Sequence, residues 1–240
     1  VAQAALVVCI SHFARSQVML FSDPAHWHKL RIVHCGVTPA RYATTHADGQ
    51  GAKLLFVGRL SPVKGLRVLF EAFEIARATT PDLTLTVIGD GADRAWVDQH
   101  AARIGGISVL GYRSQEEVAQ ALAQSDVLVL PSFAEGVPVA LMEAMVSARP
   151  VIATRVGGVA ELVEDGISGR LVAPGDAQTL AAAMIQLGSD AQLRRKMGSA
   201  GRAKVCADFD IDKEAQWLKM LFEGTASDNL RPSSEADRTS

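Results

Sequence analysis

Cysteine is scarce in this sequence, and its placement suggests neither cross-links nor metal. Cys9, Cys35 and Cys206 are odd in number and lack C-x-x-C spacing. That fits a reducing compartment, and neither a disulfide framework nor a zinc site. Long apolar runs are missing as well. None approaches the roughly 18 residues needed to span a bilayer, and no signal-peptide pattern opens the chain. A cytoplasmic location is therefore expected. Strong charge of either sign is also lacking. A net charge of −2 argues against nucleic acid as a partner, because phosphate backbones attract basic surfaces. Lys and Arg do gather at Arg194, Arg195, Lys196, Arg202 and Lys204. That cluster reads as a solvated helix face or as a peripheral contact with anionic lipid. No Ser or Cys has the look of a nucleophile with a partnered His, and no internal repeat is visible. The first residue is Val, with an apolar run close behind it, so the chain is expected to begin inside a longer polypeptide.

Apolar residues, by contrast, are plentiful. At 48% hydrophobic and 21% charged, the chain can bury a full core. From about residue 53 to 188, short β-branched runs alternate with helical patterns. Strands are expected at 54–57, 83–88, 107–110, 127–130, 151–154 and 170–172. Helices are expected at 66–78, 93–104, 116–124, 139–147 and 177–188. Alternation of this kind implies an α/β fold, a parallel sheet covered by helices on both faces. Ahead of it, residues 4–10 (AALVVCI) read as a buried strand, with a helix starting at Ser11. Residues 190–223 read as helical, interrupted around 208–212. The tail after Thr225 has nothing apolar to bury and is expected to be disordered.

Ligands of open parallel sheets bind beyond the carboxyl ends of the strands, and the conspicuous residues fall there. Gly58-Arg59, Gly89-Asp90-Gly91, Gly111-Tyr112, Pro131-Ser132 and Gly157-Gly158 each follow a strand. Glycines at such ends also make ordinary tight turns. Five in succession along one edge predict a crevice lined by accessible backbone N–H groups. Within GRLSPVKG (58–65), Arg59 and Lys64 flank a proline turn just ahead of a helix N-terminus. Two cations beside the positive end of a helix suit a diphosphate. Glu143 is the lone charge between Val137 and Ala148, so burial would be costly unless something satisfies it. It could accept from two vicinal ligand hydroxyls, such as those of a ribose, or pair with a backbone N–H or with Arg149.

Other motifs fail. GDGADR (89–94) lacks the third glycine of a dinucleotide fingerprint. The D-x-D pairs at Asp208, Asp210 and Asp212 lie in a helical region and read as helix caps. His26 and His28 have no third ligand at metal spacing.

The sequence resembles family 4 of the retaining glycosyltransferases, whose enzymes have the two-domain GT-B architecture. The matching stretches are GRLSPVKG (58–65), TVIGDG (86–91), SDVLVLPSFAEGVPVALMEAM (125–145), RPVIATRVGGVAELVEDGISGRLV (149–172) and PGDAQTLAAAM (174–184). The Arg/Lys loop together with the E-x7-E of Glu135 and Glu143 is the specific part. The resemblance implies a Rossmann-like domain, the C-terminal donor-binding half of the enzyme. It divides the chain into the end of a missing N-terminal acceptor domain with its crossover (1–28), the nucleotide-sugar-binding domain (29–208), a returning crossover helix (209–224) and the tail (225–240). On this reading residues 29–37 (KLRIVHCGV) form the domain's first strand. Apolar surface left by the missing half should normally be covered.

Roles follow position by position. Arg59 and Lys64, as catalytic cations, are implied to hold the diphosphate of a nucleotide-sugar, and Glu135 to contact the donor sugar. Glu143 is implied to accept from the ribose, and Tyr112 and Arg113 to lie against the base. Gly58, Gly89, Gly136 and the backbone near Val137, Pro138 and Val139 are implied to line the site. Where many relatives carry Phe-Gly after the first Glu, this chain has Gly-Val-Pro, which leaves the donor-sugar contacts open. The implied reaction transfers a hexose from a UDP- or GDP-sugar to a glycan or lipid-linked acceptor, without metal or other cofactor. The setting suggested is bacterial exopolysaccharide or colanic-acid-type assembly, and the chain by itself is expected to be inactive in transfer. A non-catalytic nucleotide-sugar-binding module is the alternative.

Overall fold

A computed structural model describes residues 1–44 and 52–224; the expected disordered tail lies outside them. The chain opens with strand β1 (Val7–Cys9), helix α1 (His12–Leu20), a 3-10 turn at Pro24–Lys29 and strand β2 (Leu30–Ile32). A second 3-10 turn, Pro39–Arg41, leads on to the main sheet. There follow β3 (Lys53–Val57), α2 (Leu66–Thr79), β4 (Thr84–Ile88), α3 (Arg94–Ile104), β5 (Ile107–Gly111), α4 (Gln115–Gln124) and β6 (Val127–Leu130). The domain continues through α5 (Val139–Val146), β7 (Val151–Thr154), α6 (Val159–Leu162), β8 (Gly169–Val172) and α7 (Ala177–Ser189), and ends with α8 (Ala191–Asp208) and α9 (Ile211–Phe222). No described helix is long and apolar enough to cross a membrane.

Strands β3 to β8 form one six-stranded sheet in the order β5-β4-β3-β6-β7-β8, every pair parallel. The expected α/β architecture is the observed one. β6 (VLVL) and β7 (VIAT) are buried at every position, as strands covered on both faces must be. α2 packs along α7, and α5 along α8. Several helices start where polar side chains can satisfy free N–H groups. Ser114 and Glu117 make a capping box on α4, while Asp176, Asp190 and Asp210 cap α7, α8 and α9. The D-x-D aspartates are thus accounted for locally. Asp210 caps α9, and Asp208 takes a hydrogen bond from Lys204. The interruption between α8 and α9 falls at Phe209–Asp210, where Phe209 is buried.

Two readings of the N-terminal flank need correction. β2, expected to begin the main domain, pairs with β1 in a separate two-stranded sheet, Val7 opposite Leu30 and Cys9 opposite Ile32. Its hold on the rest comes from α9. The Trp217 indole donates to the Ile32 carbonyl at 3.1 Å, and the Glu214 carboxylate accepts from the His34 amide at 2.8 Å. The run at 4–10 is not a buried strand either. Val8 is 40% and Ile10 38% exposed, because a sheet of two strands leaves one face with nothing over it among the described residues. Leu20 and Phe21, at the end of α1, are also exposed. The short α6 and the 3-10 turns at Pro24–Lys29 and Pro39–Arg41 escaped sequence reading, since one or two turns cannot register as a period.

Candidate functional site

The strand order reverses between β3 and β6, which lie side by side while their connections run to opposite sides. A crevice opens at such a point because the two following loops part. Here the loops are 58–65 after β3 and 131–138 after β6. They enclose a cavity of about 490 Å³ lined by Gly58, Arg59, Ser61, Val63, Lys64, Glu135, Pro138, Val139 and Ala140, over Val57 and Leu130. A second cavity of about 310 Å³ shares Val57, Gly58 and Arg59 and extends past Gly89 and Asp90 to Tyr112, Arg113 and Val118. Arg59 stands at the junction, exposed, with no hydrogen-bonding or ionic partner among the described residues.

The glycines do a different job from the one expected. Many of their N–H groups are spent tying the loops to one another. Gly58 donates to the Ile88 carbonyl, Gly89 to Gly111, and Gly158 to Gly136. Their lack of a side chain is what matters. A Cβ at Gly89, whose φ is 143°, would lie 1.8 Å from the Gly58 carbonyl oxygen. At Gly65, φ 68°, it would lie 2.0 Å from that of Pro131. Gly65 thereby lets the Lys64 loop seat against the loop that carries Glu135.

Positive potential in the larger cavity therefore comes from Arg59, Lys64 and the start of α5. The first N–H groups of a helix have no intrahelical acceptor. Pro138 begins α5 without a side-chain cap, and the Leu141 and Met142 amides turn back to its carbonyl. Those of Val139 and Ala140 come ahead of that first bond, in the cavity wall. Against this stands one carboxylate. Glu135 Oε1 lies 2.6 Å from the Lys64 ammonium and takes the Ser132 hydroxyl at 2.6 Å.

Three of the expected residues do not line these cavities. Val137 is packed in the core, Gly136 faces Ile10, and Glu143 lies buried one helical turn beyond Val139. The partner of Glu143 is neither Arg149 nor a backbone amide. Its Oε1 accepts from the Tyr42 hydroxyl at 2.8 Å. Arg149 instead donates to the carbonyls of Leu122 and Ala123, at the end of α4. Burial raises the Glu143 carboxyl above the ordinary value, partly offset by hydrogen bonds from Tyr42 and Gln115. Burial, with the bond to Glu143, pushes the Tyr42 phenol up to about 12.

Sequence reading missed Tyr42, Ser61 and Glu161, and placed Ser132 at the strand edge without its partner Glu135. The Ser61 hydroxyl is buried without a hydrogen bond beside the larger cavity. Glu161 accepts from the His12 and Phe13 amides at 2.7 and 2.8 Å, so the start of α1 is held against α6. In the basic cluster, Arg194 bonds the Leu187 and Gly188 carbonyls, Arg202 the Val146 carbonyl, and Lys204 pairs with Asp208 and Glu164. Most of that charge is engaged within the fold.

Residues 51–190 match the family described as glycosyl transferases group 1. The chain belongs to that family. Among relatives, it is 33% identical over 237 residues to the amylovoran biosynthesis glycosyltransferase AmsK of Erwinia amylovora, covering 94% of this chain and 58% of AmsK. It is 33% identical over 208 residues to a putative colanic acid biosynthesis glycosyltransferase, WcaL of Salmonella typhimurium, covering 81% of this chain and 51% of WcaL. The structure resembles HepE of Anabaena in complex with UDP, with a TM-score of 0.83 and 25% identity over 92% of this chain and 64% of that one. The group 1 chain described here thus spans about half the length of the curated relatives it matches.

Proposed function

We propose that this chain is the nucleotide-sugar-binding part of a retaining glycosyltransferase. In that enzyme a hexose passes from a nucleoside diphosphate to an acceptor hydroxyl during polysaccharide or glycolipid assembly. One observation carries the reading. Arg59, Lys64 and the uncapped start of α5 converge on one cavity at the point where the strand order reverses. Anions bind at such helix ends, and two fixed cations add charge-assisted hydrogen bonds.

When the bond between the anomeric carbon and the diphosphate breaks, negative charge grows on the departing oxygen. Preorganised donors there lower the barrier, and losing one typically costs about 10²–10³ in rate. Arg59 and Lys64 take the part a metal plays elsewhere, so transfer proceeds without one. The smaller cavity, with Tyr112 and Arg113, takes the base, and Glu143 accepts from the ribose. The HepE complex with UDP supports a nucleotide ligand, and AmsK and WcaL support polysaccharide synthesis. The two-stranded β1–β2 unit belongs with an acceptor-binding domain of the same protein, the six-stranded sheet with the donor domain and 209–224 with the returning crossover. The described chain binds donor but transfers nothing by itself.

The test is calorimetric titration with UDP, GDP and ADP, with and without Mg²⁺, for wild type and Arg59→Ala. Metal-independent binding of one nucleotide, lost in the variant, is the expected result. Binding that Arg59→Ala leaves intact, or no binding at millimolar nucleotide, overturns the reading.

A further inference from the structure

Glu143 poses a physical problem that the donor-site reading leaves unsolved. The carboxylate is 8% exposed on a helix otherwise made of apolar residues. A carboxylate so placed is free to turn, to protonate or to find a wrong partner unless something holds it. What holds it comes from two other parts of the chain. Tyr42, buried between the Pro39–Arg41 turn and β3, donates its hydroxyl to Oε1 at 2.8 Å. Gln115, the first residue of α4, donates its amide to the same hydroxyl at 3.4 Å. α4 in turn begins directly after Tyr112 and Arg113 in the wall of the smaller cavity. The loop of that cavity, the segment before β3 and α5 are therefore joined through one phenol.

We infer that Tyr42 is a positioning residue for nucleoside recognition. Its hydroxyl fixes the Glu143 carboxylate by one oxygen and leaves the group's remaining lone pairs to accept from the vicinal hydroxyls of a ribose. The inference rests on the donor-site reading. An ionised carboxylate offers about four acceptor sites, so the donors from Tyr42 and Gln115 still leave room for two more. The Tyr42 donor is permanent because the phenol, pushed up to about 12, keeps its proton throughout the neutral range. Tyr42 also acts on the charge of Glu143, since its bond lowers a carboxyl that burial raises. Gln115 also lends the carboxylate a hydrogen bond but does not titrate. The charged groups nearby are engaged elsewhere: Arg41 acts on Tyr42, Arg149 is bound at the end of α4, and Arg202 reaches across from α8 to the Val146 carbonyl.

The experiment uses wild type, Tyr42→Phe, Glu143→Gln and the double variant, with UDP, GDP and inorganic pyrophosphate as ligands, measured by calorimetry across pH. The Glu143 carboxyl is followed by carbon NMR without ligand. In Tyr42→Phe the carboxyl should titrate at higher pH than in wild type. Nucleoside diphosphate affinity should fall about tenfold, the loss of one hydrogen bond to a charged group. Pyrophosphate affinity should not change, and the double variant should bind no worse than Glu143→Gln. An unshifted carboxyl, wild-type affinity in Tyr42→Phe, or equal weakening of nucleotide and pyrophosphate overturns the inference while leaving the donor site standing. Failure of wild type to bind any of the three ligands overturns the donor-site reading and the inference together.

Discussion

The Lys64 ammonium lies 2.6 Å from Oε1 of Glu135, an oxygen that also receives the Ser132 hydroxyl at 2.6 Å. The pair joins the loop after β3 to the loop after β6 across the larger cavity, and Glu135 is only 9% exposed. One of the two cations suited to a diphosphate is thus already matched by a carboxylate. An incoming phosphate meets both the attraction of Lys64 and the repulsion of Glu135.

Removing that negative charge frees Lys64. Glu135→Gln is expected to bind UDP or GDP several-fold more tightly, on the order of 1 kcal/mol for a like charge lifted from a partly screened site. The corresponding nucleotide-hexose gains less, because a sugar contact is lost. Calorimetry with both ligands reads the contrast. Weaker nucleotide binding by the variant would show instead that Glu135 holds Lys64 in place for the phosphate.

Gly89 is a close approach between loops. In Gly89→Ala the new Cβ would stand 1.8 Å from the Gly58 carbonyl oxygen, so the loop bearing Arg59 must move. Loss of nucleotide binding is expected, with destabilisation of about 2 kcal/mol or more from backbone strain. Urea unfolding and calorimetry measure the two effects, and unchanged binding would sink the account of this loop.

Arg149 is structural. It is 1% exposed and bonds the carbonyls of Leu122 and Ala123. Arg149→Ala leaves those acceptors buried and opens a hole, at a cost of about 3–5 kcal/mol. Denaturant unfolding should show the loss. A variant as stable as wild type would mean that the carbonyls find other donors.

Glu143 couples stability to pH. Burial raises its carboxyl in the fold above the ordinary value of 4.5. The fold therefore favours the protonated form. Stability tied to this group is fully present below the unfolded value and is lost as pH rises through the folded one. The stability difference between Glu143→Gln and wild type should be constant below 4.5 and then shift in favour of the variant with rising pH. Paired unfolding curves across that range test this, and a pH-independent difference would contradict it.

Much of the fold was legible because burial on both faces leaves a plain trace. The run VLVL at β6, the six-strand alternation and the helix cap at Asp210 all follow from local chemistry. The larger cavity was legible in part for the same reason, since Arg59, Lys64 and Glu135 sit beside strand ends. β2 was misplaced because Leu30–Ile32 carries no mark of which strand it pairs with. Tyr42 was missed because it lies 101 positions from the carboxylate it serves.

By itself, then, the sequence determined the elements, their periodicity and the edge of the sheet where chemistry could gather, for these depend on neighbours within a few residues. The tertiary structure alone decided the strand order that opens the crevice between β3 and β6. It also decided the use of glycine N–H groups to bind loop to loop, and the pairing of Lys64 with Glu135 and of Tyr42 with Glu143. Each of these joins residues from different elements. Their distance in space is set by packing, which no local pattern encodes.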